Sequence, residues 1–430
     1  MTADPVASLP RPRLNAGERA RIRRLRTSSS GGGQQEGSSG RELAVVPVAS
    51  TPALTEQQRE AIAHRRAHAQ AANTRATYTS AWSRFESWCA DRGFEALPAH
   101  PDTVAAYLAV ADDERDEQGE PRYARTTLEL WVAAISRAHR DRQLPDPTRS
   151  PVVGGVVEGI KRLRTSSGER PDKAVPLLHT DLEAIVSAIA EHSAAGRAWK
   201  PKVYARRDIA LLVWSYAGAF RESELCRLWI ADIDRAGDPD DKWLAIRLRG
   251  TKTTQTHSPT VVLPRGTGSA LLCPWCVYLR WLAVVAAYDT AATGLDPAAG
   301  QAAGAKAVQR LLRRPDDPTV HLCDAPWPRV TRARTPIFRP IDHGLPRDRK
   351  ELSGYSFGEM IKKRALLAGY PADAAKAFRG HSPRAGFSTD GLARGISAYD
   401  IGRHTRQTVR TVAGYDRNQP WTNNPAEGLL

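Results

Sequence analysis

The run RRDIALLVWSYAGA, residues 206–219, limits the fold more than any other stretch of the chain. From Ile209 onward it is mostly apolar on all sides of a helix, and such a helix is stable only when other elements cover it. The chain must therefore build a packed core around this segment. Gly218 breaks the helix, and the next charged residue is Arg221, in FRESELCRLWIADID, with Glu224 one turn further. An arginine where a buried helix stops is partly desolvated and requires an anionic partner, either Glu224 or a ligand phosphate.

The chain has 430 residues, more than one compact core usually holds, so two domains plus tails are expected. Lys and Arg outnumber Asp and Glu by 62 to 47, a net charge of +15 that favours a polyanionic partner. A run of about 18 apolar residues, the length of a membrane span, does not occur. The opening MTADPVASLPRPRLNAGERARIRRLR lacks the apolar centre of a secretory signal. Five cysteines do not make a disulfide framework in a chain of this size, which points to a reducing, cytoplasmic setting.

Residues 1–50 read as a disordered basic tail, with Arg19, Arg21, Arg23, Arg24 and Arg26 clustered ahead of a Ser/Gly-rich stretch. Residues 51–166 carry helical spacings: Tyr78, Trp82, Phe85 and Trp88, then Val104, Tyr107 and Leu108, then Leu128, Trp131, Ile135 and His139. These aromatic stripes read as the core of an all-helical domain. Residues 167–177 are a polar linker. Residues 178–430 form a second, mixed domain that opens on a helix with Thr180 as its cap. KWLAIRLRGTK and THSPTVVLP read as the two strands of a hairpin. Residues of about 290–335 are Ala-, Gly-, Pro- and Arg-rich and read as irregular. The fold class is mainly α with a small antiparallel β-hairpin or sheet.

Further basic groups stand at break points of apolar elements. Lys252 falls at the turn of the hairpin, where it can reach a DNA groove or protonate a leaving oxygen. In GHSPRAGF, His381 and Arg384 are three residues apart, hence on one face of a helix. Ser382 is the expected cap and Pro383 the first helical residue, so both basic groups lie near a positive helix end that suits an anion. Tyr415 follows Gly414 in TVAGYDR, and beside two arginines and a lysine its hydroxyl can act as a nucleophile in phosphoryl transfer. Cys273 and Cys276 form a CxxC motif, and His321 and Cys323 follow later. Only one residue separates the second pair, so the two CxxC cysteines read as core residues of a helix and no metal is predicted.

Taken in the order Arg, Lys, His-x-x-Arg, Tyr, these motifs resemble the tyrosine recombinase (phage integrase) family over residues of about 56–430. IKRLRTSSGERPDKAVPLLHTDL is similar to that family's junction between a helical core-binding (SAM-like) domain and a catalytic domain. The resemblance implies that Arg221 and Arg384 hold the scissile phosphate and His381 assists proton transfer. It further implies that Lys252 is the general acid, Glu224 supports the site and Tyr415 attacks phosphorus. The product would be a 3′-phosphotyrosyl intermediate on double-stranded DNA clamped between the domains. No cofactor is implied, and no P-loop pattern is present.

The resemblance also implies that four protomers assemble on two DNA sites, with WTNNPAEGLL packing against a neighbour. The family's histidine or tryptophan about two and a half helical turns before the tyrosine is missing. That count lands on Arg406, a count forward from Arg384 lands on Gln407, and the nearest histidine is His404. His404 is favoured, with Gln407 next. Alternative readings are a non-catalytic DNA-binding protein on the same fold and a type IB topoisomerase-like enzyme.

Overall fold

The structure, a computed structural model, describes residues 54–68, 72–168, 174–235, 242–249, 259–314 and 316–416. The arginine-rich 1–50 tail, Lys252 at the hairpin turn and the WTNNPAEGLL segment lie outside the described residues. The chain divides into two compact units, Met1–Ser167 and Gly168–Leu430. Fifteen α-helices and two small antiparallel sheets are described. None of these helices is long and apolar enough to cross a membrane.

The first unit contains α1 (Glu56–His68), α2 (Ala72–Arg92), α3 (Pro101–Asp113), α4 (Arg125–Asp141) and α5 (Pro151–Ser166). Its core is aromatic: Phe85, Tyr107 and Trp131 are buried, and Tyr78, Trp82 and Trp88 pack against them. The stripes at helical spacing are therefore spent on packing. His139 is also fully buried, accepting from the Ala99 backbone N–H at Nε2 (2.9 Å) and donating to the Ile135 carbonyl through Nδ1 (2.9 Å). Both ring nitrogens are thus satisfied, as a buried imidazole requires.

The second unit is built around the apolar helix. In chain order it has α6 (His179–Ala194), α7 (Trp199–Ala217), α8 (Glu222–Cys226), β1 (Ile233–Arg235), β2 (Trp243–Arg247) and β3 (Thr260–Pro264). There follow α9 (Pro274–Ala292), α10 (Pro297–Arg313), β4 (Ile341–Asp342), β5 (Leu345–Pro346), α11 (Gly354–Leu367), α12 (Ala372–Ala377), α13 (Ser382–Ala393), α14 (Ala398–Thr405) and α15 (Val409–Ala413). Residues Ile209 to Trp214 of α7 are all buried, and α6, α9 and α13 pack on the helix.

Several local expectations are corrected. The expected hairpin, β2 against β3, gains a third strand, β1, in the order β1-β2-β3. With three residues, β1 is too short to show an alternating pattern. Thr180 does not cap α6: the Asp181 carboxylate accepts from the Leu178 backbone N–H (2.8 Å), and Thr180 lies inside the first turn. Residues 297–313, expected to be irregular, form α10. Its start signal is Asp296, whose carboxylate accepts from Ala298 N and Ala299 N (both 3.0 Å), followed by Pro297 in the first helical turn. Alanine-rich composition also favours a helix.

The segment after α10 is tied to α9 by a buried ion pair. Arg339 donates to both carboxylate oxygens of Asp289 at 2.8 Å, and its other bonds go to the Pro336 carbonyl and the Thr335 hydroxyl. Both charged side chains are 0% exposed. Removing one partner leaves the other buried and uncompensated. Asp289→Ala is expected to lower the unfolding free energy by about 3–5 kcal/mol, read by denaturant unfolding.

Candidate active site

The C-terminal end of α7 is the scaffold of the site. The last carbonyls of a helix have no partner within it and form its negative end. Here donors from the far end of the chain supply those partners. His404 Nε2 donates to the Ala217 carbonyl (2.8 Å), and Arg406 Nη2 (3.2 Å) and Arg384 Nη1 (2.6 Å) both donate to the Ala219 carbonyl. Arg384 Nη2 also donates to the Thr405 carbonyl, the last residue of α14. One 1%-exposed guanidinium thus joins two helix ends. Its Nε has no partner among the described residues.

Arg221 stands between α7 and α8, at the N-cap position of α8. Its backbone N–H donates to Glu224 Oε2 (3.0 Å) and its Nη1 to Glu224 Oε1 (2.6 Å). The same carboxylate accepts from Arg406 Nη2 at 2.9 Å. Arg221 remains 22% exposed, and its other guanidinium donors have no partner among the described residues.

His381 and Arg384 lie at the start of α13 as the sequence spacing requires, but the cap differs from the expected one. His381 occupies the N-cap position, and the Ser382 hydroxyl instead accepts from the Arg379 backbone N–H (2.9 Å). Gly386 lets the chain cross this helix closely: a Cβ there would stand 1.7 Å from the Leu177 carbonyl oxygen, so no other residue fits without backbone movement. Leu177 N–H donates to the Ser382 carbonyl at 2.9 Å.

Tyr415 follows the short helix α15, which the buried Val412 anchors. Its hydroxyl is 3.1 Å from His381 Nε2 and accepts from Gln407 Nε2 at 3.4 Å. Of the three residues that competed for the place before the tyrosine, Gln407 reaches the hydroxyl. Arg406, in the left-handed conformation (φ +59), pairs with Glu224. His404 spends Nε2 on the Ala217 carbonyl, and its ring stacks on Phe387. Of the sequence-predicted residues, Arg221, Glu224, His381, Arg384 and Tyr415 come together, His404 braces the scaffold, and Lys252 is outside the described residues.

The Arg221 and Arg406 guanidinium groups share the carboxylate of Glu224, and the Arg384 guanidinium lies close enough to feel its charge without bonding to it. Burial, then Arg221 and Arg406, push the Arg384 guanidinium down to about 9. Burial, then Arg384 and Arg221, lower the His381 imidazole below its ordinary 6.5, so it is neutral at pH 7. Burial alone would raise the Glu224 carboxyl, but Arg406 and the bonds from Arg221 outweigh it and hold it below its ordinary 4.5. The arrangement suits an added anion such as a phosphodiester. A lowered carboxyl contributes stability that is present above its ordinary pKa and lost as pH falls through the folded value. The stability gap between the wild type and Glu224→Gln should therefore be widest near neutral pH and narrow as the pH falls below the ordinary carboxyl value of 4.5, read by thermal unfolding against pH.

A second cluster lies elsewhere in this unit. Cys273 and Cys276 are both buried in the core as expected, with Cys276 inside α9 and Cys273 just ahead of it. Cys273 precedes α9 as its N-cap residue, and the Cys273, Cys276, His321 and Cys323 donor atoms lie within 4.8 Å of one another.

No protein-family model matches the chain. A curated protein of Selenomonas ruminantium named integrase/recombinase xerD homolog is 27% identical over 338 residues, covering 78% of this chain and 79% of its own length. Solved structures similar to the chain include the Tn1549 transposon integrase in complex with transposon right end DNA (13% identity, 86% of this chain and 96% of that chain, TM-score 0.46). They also include a lambda integrase dimer bound to a COC′ core site (14% identity, 85% and 96%, TM-score 0.41). The sequence match spans 78% of this chain and 79% of the curated relative, and in this chain Arg221, Glu224, His381, Arg384 and Tyr415 come together at one site.

Proposed function

We propose that the chain is a site-specific DNA recombinase or integrase that cuts and rejoins duplex DNA through a 3′-phosphotyrosyl intermediate. The observation that carries this reading is the 3.1 Å contact between His381 Nε2 and the Tyr415 hydroxyl, beside a cationic cluster short of negative charge. The Tyr415 oxygen attacks the scissile phosphorus and the bond to the 5′ oxygen breaks. With its proton on Nδ1, neutral His381 accepts the phenolic proton at Nε2. Arg221 and Arg384 offset the charge that grows on the phosphoryl oxygens. Lys252 protonates the leaving 5′ oxygen. Gln407 donates to the tyrosine oxygen from the place where the family carries a histidine or tryptophan. Rejoining reverses these steps with a 5′ hydroxyl from another strand, so the phosphodiester energy is conserved and no nucleotide is consumed.

The partner is double-stranded DNA, held mainly through phosphate contacts that weaken with salt. The reading extends to four protomers on two sites. The similarity to a curated protein named an integrase/recombinase supports recombination over a purely architectural role.

A DNA duplex nicked within the recombination site tests the chemistry. The wild type should accumulate a covalent protein–DNA complex and Tyr415→Phe none; absence of the complex from the wild type would leave only a DNA-binding role. His381→Ala should slow the step by about 10²–10⁴-fold. Gln407→Ala should slow it by about ten- to a hundredfold, less than the loss of one short oxyanion donor.

The pH profile supplies a separate test. A base that must be neutral, with its pKa lowered, gives a cleavage rate that holds through neutral pH and falls only below the ordinary imidazole value of 6.5. A rate that already declines between pH 8 and about 7 would contradict that role for His381.

A further inference from the structure

The four residues of the cysteine cluster take no part in the reaction above, yet the fold collects them from separate places. Cys273 lies between β3 and α9, Cys276 in the first turn of α9, and His321 and Cys323 in the irregular stretch after α10. The Sγ atoms of Cys273 and Cys276 are each 3.5 Å from Cys323 Sγ. His321 Nδ1 is 3.4 Å from Cys276 Sγ and 3.7 Å from Cys323 Sγ. A tetrahedral zinc ion, with bonds of about 2.3 Å to sulfur and about 2.0 Å to nitrogen, sets its sulfurs about 3.8 Å apart and sulfur from nitrogen about 3.5 Å. The donors already stand near the corners of that tetrahedron.

The surroundings match a metal centre better than a set of packed thiols. Backbone N–H groups of Gly266 and Leu322 donate to Cys273 Sγ (3.2 Å) and Cys276 Sγ (3.1 Å), bonds that favour the thiolate. A carbonyl can only accept, so His321 Nε2, 2.9 Å from the Gly268 carbonyl, carries the ring proton. That leaves the lone pair on Nδ1, the nitrogen that faces the sulfurs, and this is how an outer partner fixes a histidine ligand. Gly266 allows the loop to approach, since a Cβ there would stand 2.9 Å from Cys273 Cα. The three cysteines are buried and His321 is exposed, so the cluster has an open side.

We propose that Cys273, Cys276, His321 and Cys323 bind one zinc ion in a closed Cys3His site. The ion pins the loop after β3 and the start of α9 to the stretch after α10, which has little regular structure of its own. The site is structural: with four protein ligands it leaves no position for substrate. Binding releases the thiol protons as the thiolates coordinate.

Full-length protein purified under reducing conditions, without added metal, should carry about one zinc per chain by elemental mass spectrometry. Replacement with Co2+ should give thiolate-to-metal charge-transfer bands and the strong visible bands of a tetrahedral site. His321→Ala and Cys323→Ser should lose the zinc or bind it more weakly, while Cys89→Ser, in the other unit, retains it. Chelation should lower the melting temperature of the wild type. Background metal content together with no tetrahedral Co2+ bands on titration of the reduced wild type would overturn the site. So would a Cys273–Cys323 disulfide in protein isolated with its thiols blocked. Because the titration uses the wild type, a variant that fails to fold does not blunt the test.

Discussion

The cationic cluster at the end of α7 depends on the carboxylate of Glu224. It is the anion shared by Arg221 and Arg406, and it is nearly buried. Like charges brought together out of water repel strongly, and one carboxylate between two guanidinium groups relieves part of that cost. Arg384 is left to backbone carbonyls. These are dipoles rather than ions, so they hold the guanidinium in place without cancelling its charge. The cluster therefore stays cationic and can accept an anion while the protein remains folded.

The same contacts connect the site to the fold. The end of α7 presents unpaired carbonyls, and His404, Arg406 and Arg384 supply the donors from 165 to 187 residues away in sequence. Side chains that close a helix end thereby fix where α13 and α14 lie against α7. Asp390 adds to this joint by accepting from the His179 backbone N–H (2.7 Å) and the Tyr216 hydroxyl (2.6 Å). Positioning of the Arg384 guanidinium and stability of the second unit thus rest on one set of bonds. Tyr415 is held differently, by a five-residue helix with one buried anchor, Val412, and by hydrogen bonds at its hydroxyl.

Much of this was legible in the chain. The buried helix, the break at Gly218, the Arg221–Glu224 spacing and the His381–Arg384 pair follow from periodicity and from the short reach of a helical turn. The start of α10 was also legible, in Asp296 followed by Pro297, but its alanines and glycines hid the amphipathic pattern. His404 drew attention as a histidine near the tyrosine. What decided its role was the carbonyl of Ala217, a partner 187 residues away that no local pattern reveals. Gln407 carried no chemical signal of its own, and its place beside Tyr415 depends on how α14 ends at Arg406 in a left-handed turn.

The sequence by itself determined the inventory: a basic chain with a core-forming helix, cationic groups at helix breaks and a tyrosine near its end. These are local properties, set by side-chain chemistry and by spacings of a few residues. Tertiary structure decided which groups meet. It gave Glu224 its second arginine, turned His404 into a brace, set Gln407 at the phenol and drew three separated thiols and an imidazole into one cluster. Such meetings depend on long-range packing, in which residues far apart in the chain become neighbours because burying α7 leaves them few other places to go.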